Sequence, residues 1–212
     1  KYAKDGVLKS YQDKGTGMQT FDWGDARKLL DERLIQLVSE SGKRGVEASA
    51  KASESADDLV LMKYSKAVFW NNLWNKHPFF FFFLGLVVDQ AGGIVQHPFD
   101  KIFNYGENGT ALDISDDTTV EVVEKLNGFL GCITKHPYKN DLLVTTTGSF
   151  DSPFVQYIQS FVTPELKAKL MDHFAHTDET LMFEVIHPED NEHPVQYAPE
   201  EQGLWLIGAR AK

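Results

Sequence analysis

Between Pro78 and Asp89 runs FFFFFLGLVV, the ten residues Phe79 to Val88, without one polar side chain. Such a run must be hidden from water, and its length decides how. A membrane-spanning helix needs roughly 18 or more apolar residues, and this run also lacks the basic flank of a signal peptide. Rich in β-forming residues, it predicts a fully buried strand.

The rest of the chain supplies enough material for a core around that strand. The 212 residues suit one large domain, or one domain with an appendage. A net charge of −10 opposes general nucleic-acid binding and leaves room for an enzyme whose site holds its own cations. Cys132 is the only cysteine, so an intrachain disulfide is impossible and a reducing, cytoplasmic setting is expected.

Residues 20–41 carry Leu29, Leu30, Leu34 and Leu37 at helical spacing, with Asp25 near the start. Residues 42–58 are small and polar and predict a mobile loop or linker. That divides the chain into a helical N-terminal segment with its linker, 1–58, and a main domain, 59–212. From Leu59 to Leu143, short apolar runs separated by Gly, Asn, Asp and Pro predict strands and turns. Helix returns over 153–175, where Thr163-Pro164-Glu165 reads as a cap and first turn. Strands follow around Leu181–Val185 and Leu204–Ile207. Strands and helices in blocks predict an α+β fold with mainly antiparallel sheets and flanking helices.

Within the strand region, VEVVEKL-NG-FLGCITK sets Asn127-Gly128 between two apolar runs, a strong hairpin pattern. On that reading Lys125 is a strand residue with its ammonium in water. A second reading makes Lys125 a nucleophile. Desolvation and nearby cations free a lysine lone pair to attack phosphorus or carbonyl centres, and Gly128 allows a tight turn with room for a ligand. Lys-x-x-Gly alone does not choose between them.

The flanking blocks bear on that choice. They are GGIVQHPFDKIFNYGEN (Gly92–Asn108), DLLVTTTGSFDS (Asp141–Ser152) and LMFEVIHPEDNEHPVQY (Leu181–Tyr197). With the lysine block, in this order, the chain resembles ATP-dependent RNA ligases of the phage type and the adenylyltransferase domain of fungal tRNA ligase. These belong to the covalent nucleotidyltransferase superfamily, with DNA ligases and capping enzymes. The resemblance spans about residues 88–210, and PFDKIFNYGEN is its most specific part.

The resemblance implies a nucleotidyltransferase (ATP-grasp-like ligase) domain that uses ATP and Mg²⁺. Lys125 would attack the α-phosphate and become lysyl-AMP, with Lys101 as a phosphate-contacting cation. Glu124, Asn127, Gly128, Phe103 and Ser149 would line the nucleotide, and Glu184 would contact the ribose. AMP would pass to an RNA 5′-phosphate, which a 3′-hydroxyl then displaces. Each residue also has an ordinary reading: solvated charge for Lys101, strand-face aromatic for Phe103. Glu184 sits in an apolar strand and needs a partner on either reading.

The chain departs from the family pattern in three places. Gly92-Gly93-Ile94 stands where the family has Arg-Gly-Ile, and Thr147-Gly148-Ser149 where phage enzymes have Lys-Gly-Ser. Both remove a cation expected near the triphosphate, each contact being worth about 1.5–3 kcal/mol. A Glu-Gly and a Lys-x-Lys motif, expected after Glu184, do not occur before Lys212, which predicts a domain truncated at its C-terminus. Two rival readings follow, a non-catalytic nucleotide- or RNA-end-binding domain on the same fold and a plain interaction domain. Five of the seven histidines precede proline, which suits turns better than metal ligation, and no phosphate-binding Gly-x-x-x-x-Gly-Lys loop occurs.

Overall fold

A computed structural model describes residues 10–12, 19–21, 50–55, 57–74, 78–89, 93–110, 114–193 and 195–212. The fold is α+β, built on two four-stranded antiparallel sheets with few helices. A short pair, β1 (Ser10–Gln12) with β2 (Gln19–Phe21), stands apart from them. Thr20 and Phe21 are therefore strand and not the start of a helix, and the remainder of the helix expected over 20–41 lies outside the described residues.

The first sheet has the order β3 (Ala50–Glu54), β4 (Val60–Tyr64), β5 (Leu84–Val88), β6 (Ile94–Gln96). β3 falls inside the stretch expected to be a loop. It pairs with β4 from Ala50–Tyr64 to Glu54–Val60, so the sheet begins before residue 59. Its backbone pairing with β4 is what holds this strand at the end of the described sheet order.

The long apolar run is only half strand. Pro78–Phe81 form a 3₁₀ turn and β5 begins at Leu84. Proline suits the first position of a helical turn, and such a turn lets bulky rings spread instead of alternating across a sheet. Phe80, Phe82 and Phe83 are buried with Trp74, Phe103 and Val68 of α1 (Lys66–Trp70) on one face of the sheet.

Strand alternation assigns the other face. Leu59, Leu61, Val87 and Val95 point there and meet Leu143 of the second sheet. That sheet has the order β10 (Gly203–Ala211), β9 (Glu179–Ile186), β7 (Phe129–Lys135), β8 (Leu142–Thr146). Its far face is covered by α2 (Pro153–Phe161) and α3 (Pro164–His176), which bury Val155, Ile158, Leu170 and Phe174. The chain breaks between these helices where Thr163 caps α3, its hydroxyl accepting from Leu166 N–H at 3.2 Å.

The two sheets touch at backbone level. A Cβ on Gly85 would lie 2.9 Å from Thr147 Cα, and Gly85 has φ +94°, a conformation glycine tolerates. Gln96 Nε2 donates to Gly85 O (2.9 Å) and to Thr145 Oγ1 (2.7 Å), and His97 N–H donates to Thr180 Oγ1 (2.7 Å). No helix among the described residues is long and apolar enough to cross a membrane.

Candidate active site

Sheet register brings three connections to one end of the second sheet. β7 runs from Phe129, paired with Val185, to Lys135, and its last rung with β8 at this end is Gly131–Thr146. The approach to β7 (residues 118–128), the turn from β8 into α2 (147–152) and the loop from β9 to β10 (187–202) therefore converge there. Phe154, in the first turn of α2, packs edge-on against Phe129 with centroids 4.8 Å apart.

The approach itself is not a strand. Residues 118–127 have no sheet partner, Val120, Val122 and Val123 are exposed, and no hairpin forms at Asn127-Gly128. β7 is flanked on one side by β8 and on the other by β9, so no edge is left to receive a preceding strand. Lys125 is accordingly exposed, and its Nζ donates to Leu126 O at 3.3 Å. The desolvation that a strand setting would have supplied is not present.

What fixes this segment is its contact with β9. Gly128 N–H donates to Glu184 Oε1 at 2.8 Å, giving the strand carboxylate the partner it needs. A Cβ on Gly128 would lie 2.1 Å from Val185 O, so the glycine is required by close approach to β9 and not by a turn. One residue earlier, Asn127 N–H donates to Tyr197 Oη at 2.7 Å. Lys125 is thus tethered two and three residues downstream to β9 and to the β9–β10 loop.

That loop encloses a cavity of about 340 Å³ lined by Ile186, His187, Asp190, Asn191, His193 and Tyr197, among others. His193 Nδ1 lies 2.6 Å from Asp190 Oδ2, and its ring stacks near Phe129 at 6.3 Å. His187 stacks on Tyr157 at 4.1 Å, and burial lowers its pKa, an effect Glu189 and Asp190 oppose.

The β8–α2 turn closes by Thr146 N–H donating to Ser149 O at 3.1 Å. Ser149 Oγ accepts from Asp151 N–H and Ser152 N–H at 3.1 and 3.0 Å, which ties the turn to the start of α2. Lys63 of β4 donates from Nζ to Thr147 Oγ1 at 3.1 Å. Gly93 takes part in the β5–β6 hairpin, donating its N–H to Asp89 Oδ1 at 2.7 Å, while Gly92 lies outside the described residues.

The structure thus brings Asn127, Gly128 and Glu184 together, and sets Ser149 at the same sheet end. Glu124 is exposed and makes no hydrogen bond or ion pair among the described residues. Lys101 and Phe103 belong to another neighbourhood. Lys101 Nζ sits 4.9 Å from the Phe103 ring centroid and 5.6 Å from that of Trp74, and donates to Ile102 O at 2.6 Å. Their loop is pinned to the far end of β10 by Arg210, which donates to Asp100 Oδ1 at 2.6 Å and Pro98 O at 2.9 Å.

Tyr197 and Lys63 were missed as site residues by sequence reasoning. Tyr197 ends the last of the flanking blocks, a usable signal. Lys63 has none, because 84 residues separate it from Thr147. No group of three or more His, Cys, Asp or Glu side chains among the described residues is placed to cage a metal ion.

A family model described as RNA ligase, of the T4 type, matches residues 84–212. The chain belongs to the RNA ligase family. The match covers both sheets from β5 onward and every connection that meets at the candidate site of this ligase-family chain. Comparison with curated proteins gives no match.

Proposed function

We propose that this RNA ligase family chain is an adenylyltransferase with the covalent nucleotidyltransferase fold, and that Lys125 is its nucleophile. The observation that carries the reading is the Gly128–Glu184 hydrogen bond, which fastens the only Lys-x-x-Gly segment in the matched region to a β9 carboxylate. Deprotonated Lys125 Nζ attacks the α-phosphorus of ATP. An N–P bond forms, the bond to the β-phosphate oxygen breaks, and pyrophosphate leaves. AMP then moves to an RNA 5′-phosphate, and a 3′-hydroxyl displaces it to seal the strand.

Mg²⁺ travels with the ATP phosphates as part of the substrate, in keeping with an ion that retains waters and few protein ligands. Glu184 orients the Lys125 segment through Gly128, and its second carboxylate oxygen is the group offered to the ribose. Ser149, Asn127 and Glu124 border the same end of the sheet, while Lys101 and Phe103 would join them only through movement of their loop.

Full-length protein incubated with α-labelled ATP and Mg²⁺ tests this. Acid-stable label on the wild type and none on Lys125→Ala is expected. Equal label on the two proteins overturns the assignment. A non-catalytic nucleotide-binding domain is the second reading, favoured by the exposed Lys125 and by Thr147 in the lysine position. It predicts saturable ATP binding without label.

A further inference from the structure

We propose that Lys63 is the phosphate-binding cation of the candidate site, replacing the lysine that phage relatives carry where this chain has Thr147. The inference rests on the nucleotide-binding part of the function proposed above. Its structural basis is separate from Lys125.

Three observations place the ammonium. Lys63 Nζ donates to Thr147 Oγ1 at 3.1 Å, and a Cβ on Gly148 would lie 3.4 Å from the same nitrogen. The charge therefore sits on the backbone turn that the family's lysine would occupy. By alternation Lys63 shares the face of Leu59 and Leu61, which otherwise packs apolar against the second sheet. A charge on such a face is costly unless it reaches a polar site at the rim, and this one does.

A β-bulge lies opposite Lys63. The ladder between β4 and β5 runs Met62–Leu86 and then Lys63–Leu84, leaving Gly85 as the extra residue. Bulges redirect side chains and gather beside functional sites. Gly85 is also the residue whose missing Cβ allows the approach to Thr147, so the irregularity opposite Lys63 is where the Thr147 turn seats.

The surroundings suit an anion. Ser149 ties the turn to the start of the nine-residue helix α2, the end of a helix at which negative charge is favoured. Gly131–Thr146 is the last rung before both the Thr147 turn and the Lys125 approach. A nucleotide held at Lys63 would present its phosphates at the sheet end where Lys125 is tethered. In a chain of net charge −10, a fixed ammonium at this point offsets the repulsion that ATP would otherwise meet.

Calorimetric titration of the full-length wild type, Lys63→Met, Lys63→Arg and the double variant Lys63→Met/Thr147→Lys tests it, with ATP–Mg²⁺ and adenosine as ligands. Lys63→Met should weaken ATP binding about tenfold or more. Adenosine binding should stay unchanged, Lys63→Arg should retain most ATP affinity, and Thr147→Lys should restore it in the Met background. ATP affinity in Lys63→Met within about twofold of wild type overturns the proposal. So does an equal loss for adenosine, which marks damage to the fold, or a wild type that binds no ATP. The α-label assay stays distinct. Lys63-dependent ATP binding without label rejects Lys125 as nucleophile and keeps Lys63, and label that ignores Lys63 does the reverse.

Discussion

Gly128 carries more structural constraint than any charged residue at the site. Replacing it with alanine puts a methyl 2.1 Å from Val185 O, and rigid strand backbone cannot yield cheaply. Gly128→Ala should lose about 3 kcal/mol or more, lowering Tm by roughly 6–12 °C in a thermal melt. Glu184→Ala removes the acceptor and leaves Gly128 N–H unpaired, for about 1–3 kcal/mol, and Glu184→Gln should recover most of that because its amide oxygen still accepts. Part of this was legible beforehand, since a carboxylate in an apolar strand demands a partner. Which partner it takes was not legible, because the contact spans 56 residues and depends on register. Cys132 is a simpler case. Burial pushes its thiol up to about 12, so a thiol reagent should label it only as the protein unfolds.

Among the elements, the β9–β10 loop holds the clearest pH dependence. His187 packs flat on Tyr157, with Ser160 Oγ 3.3 Å from Nε2, and burial keeps its folded pKa below the ordinary 6.5. Glu189 and Asp190 face it and counter that shift in part. The unfolded chain then takes up the proton first. Stability contributed by neutral His187 is whole above 6.5 and declines as pH falls through that value. An NMR titration should place the His187 midpoint below 6.5, and His187→Phe should flatten the matching fall in Tm. Helix positions were readable because Thr163-Pro164 marks a start by local chemistry. The hairpin at Asn127-Gly128 was misread for a non-local reason. Its flanks carry the right residues, but β8 and β9 already occupy both edges of β7.

For the whole molecule, the decisive quantity is how firmly one sheet is held against the other. Arg210 spans that boundary from β10 to the loop that carries Lys101, and burial pushes the Asp100 carboxyl up despite the guanidinium beside it. Arg210→Ala should destabilise the protein by about 1–2 kcal/mol, because Asp100 keeps partial solvent access, and Asp100→Asn in that background should return some of it. Denaturant midpoints of the three proteins would show this order. Antiparallel sheets were legible from short apolar runs between turn residues. Their pairing and stacking were not, since Gln96 with Thr145 and His97 with Thr180 are long-range contacts without a local pattern.

Among the described residues β10 forms one margin of the second sheet and exposes Trp205, Leu206 and Ile207. An open margin of that kind invites other chains to add strands and build fibrils. Its ladder with β9 slips between Leu206 and Gly208, which divides the strand into two regular lengths, Gly203–Leu206 and Gly208–Ala211. A chain adding along β10 would therefore meet two short lengths out of step with each other, and would lose register at the kink between them.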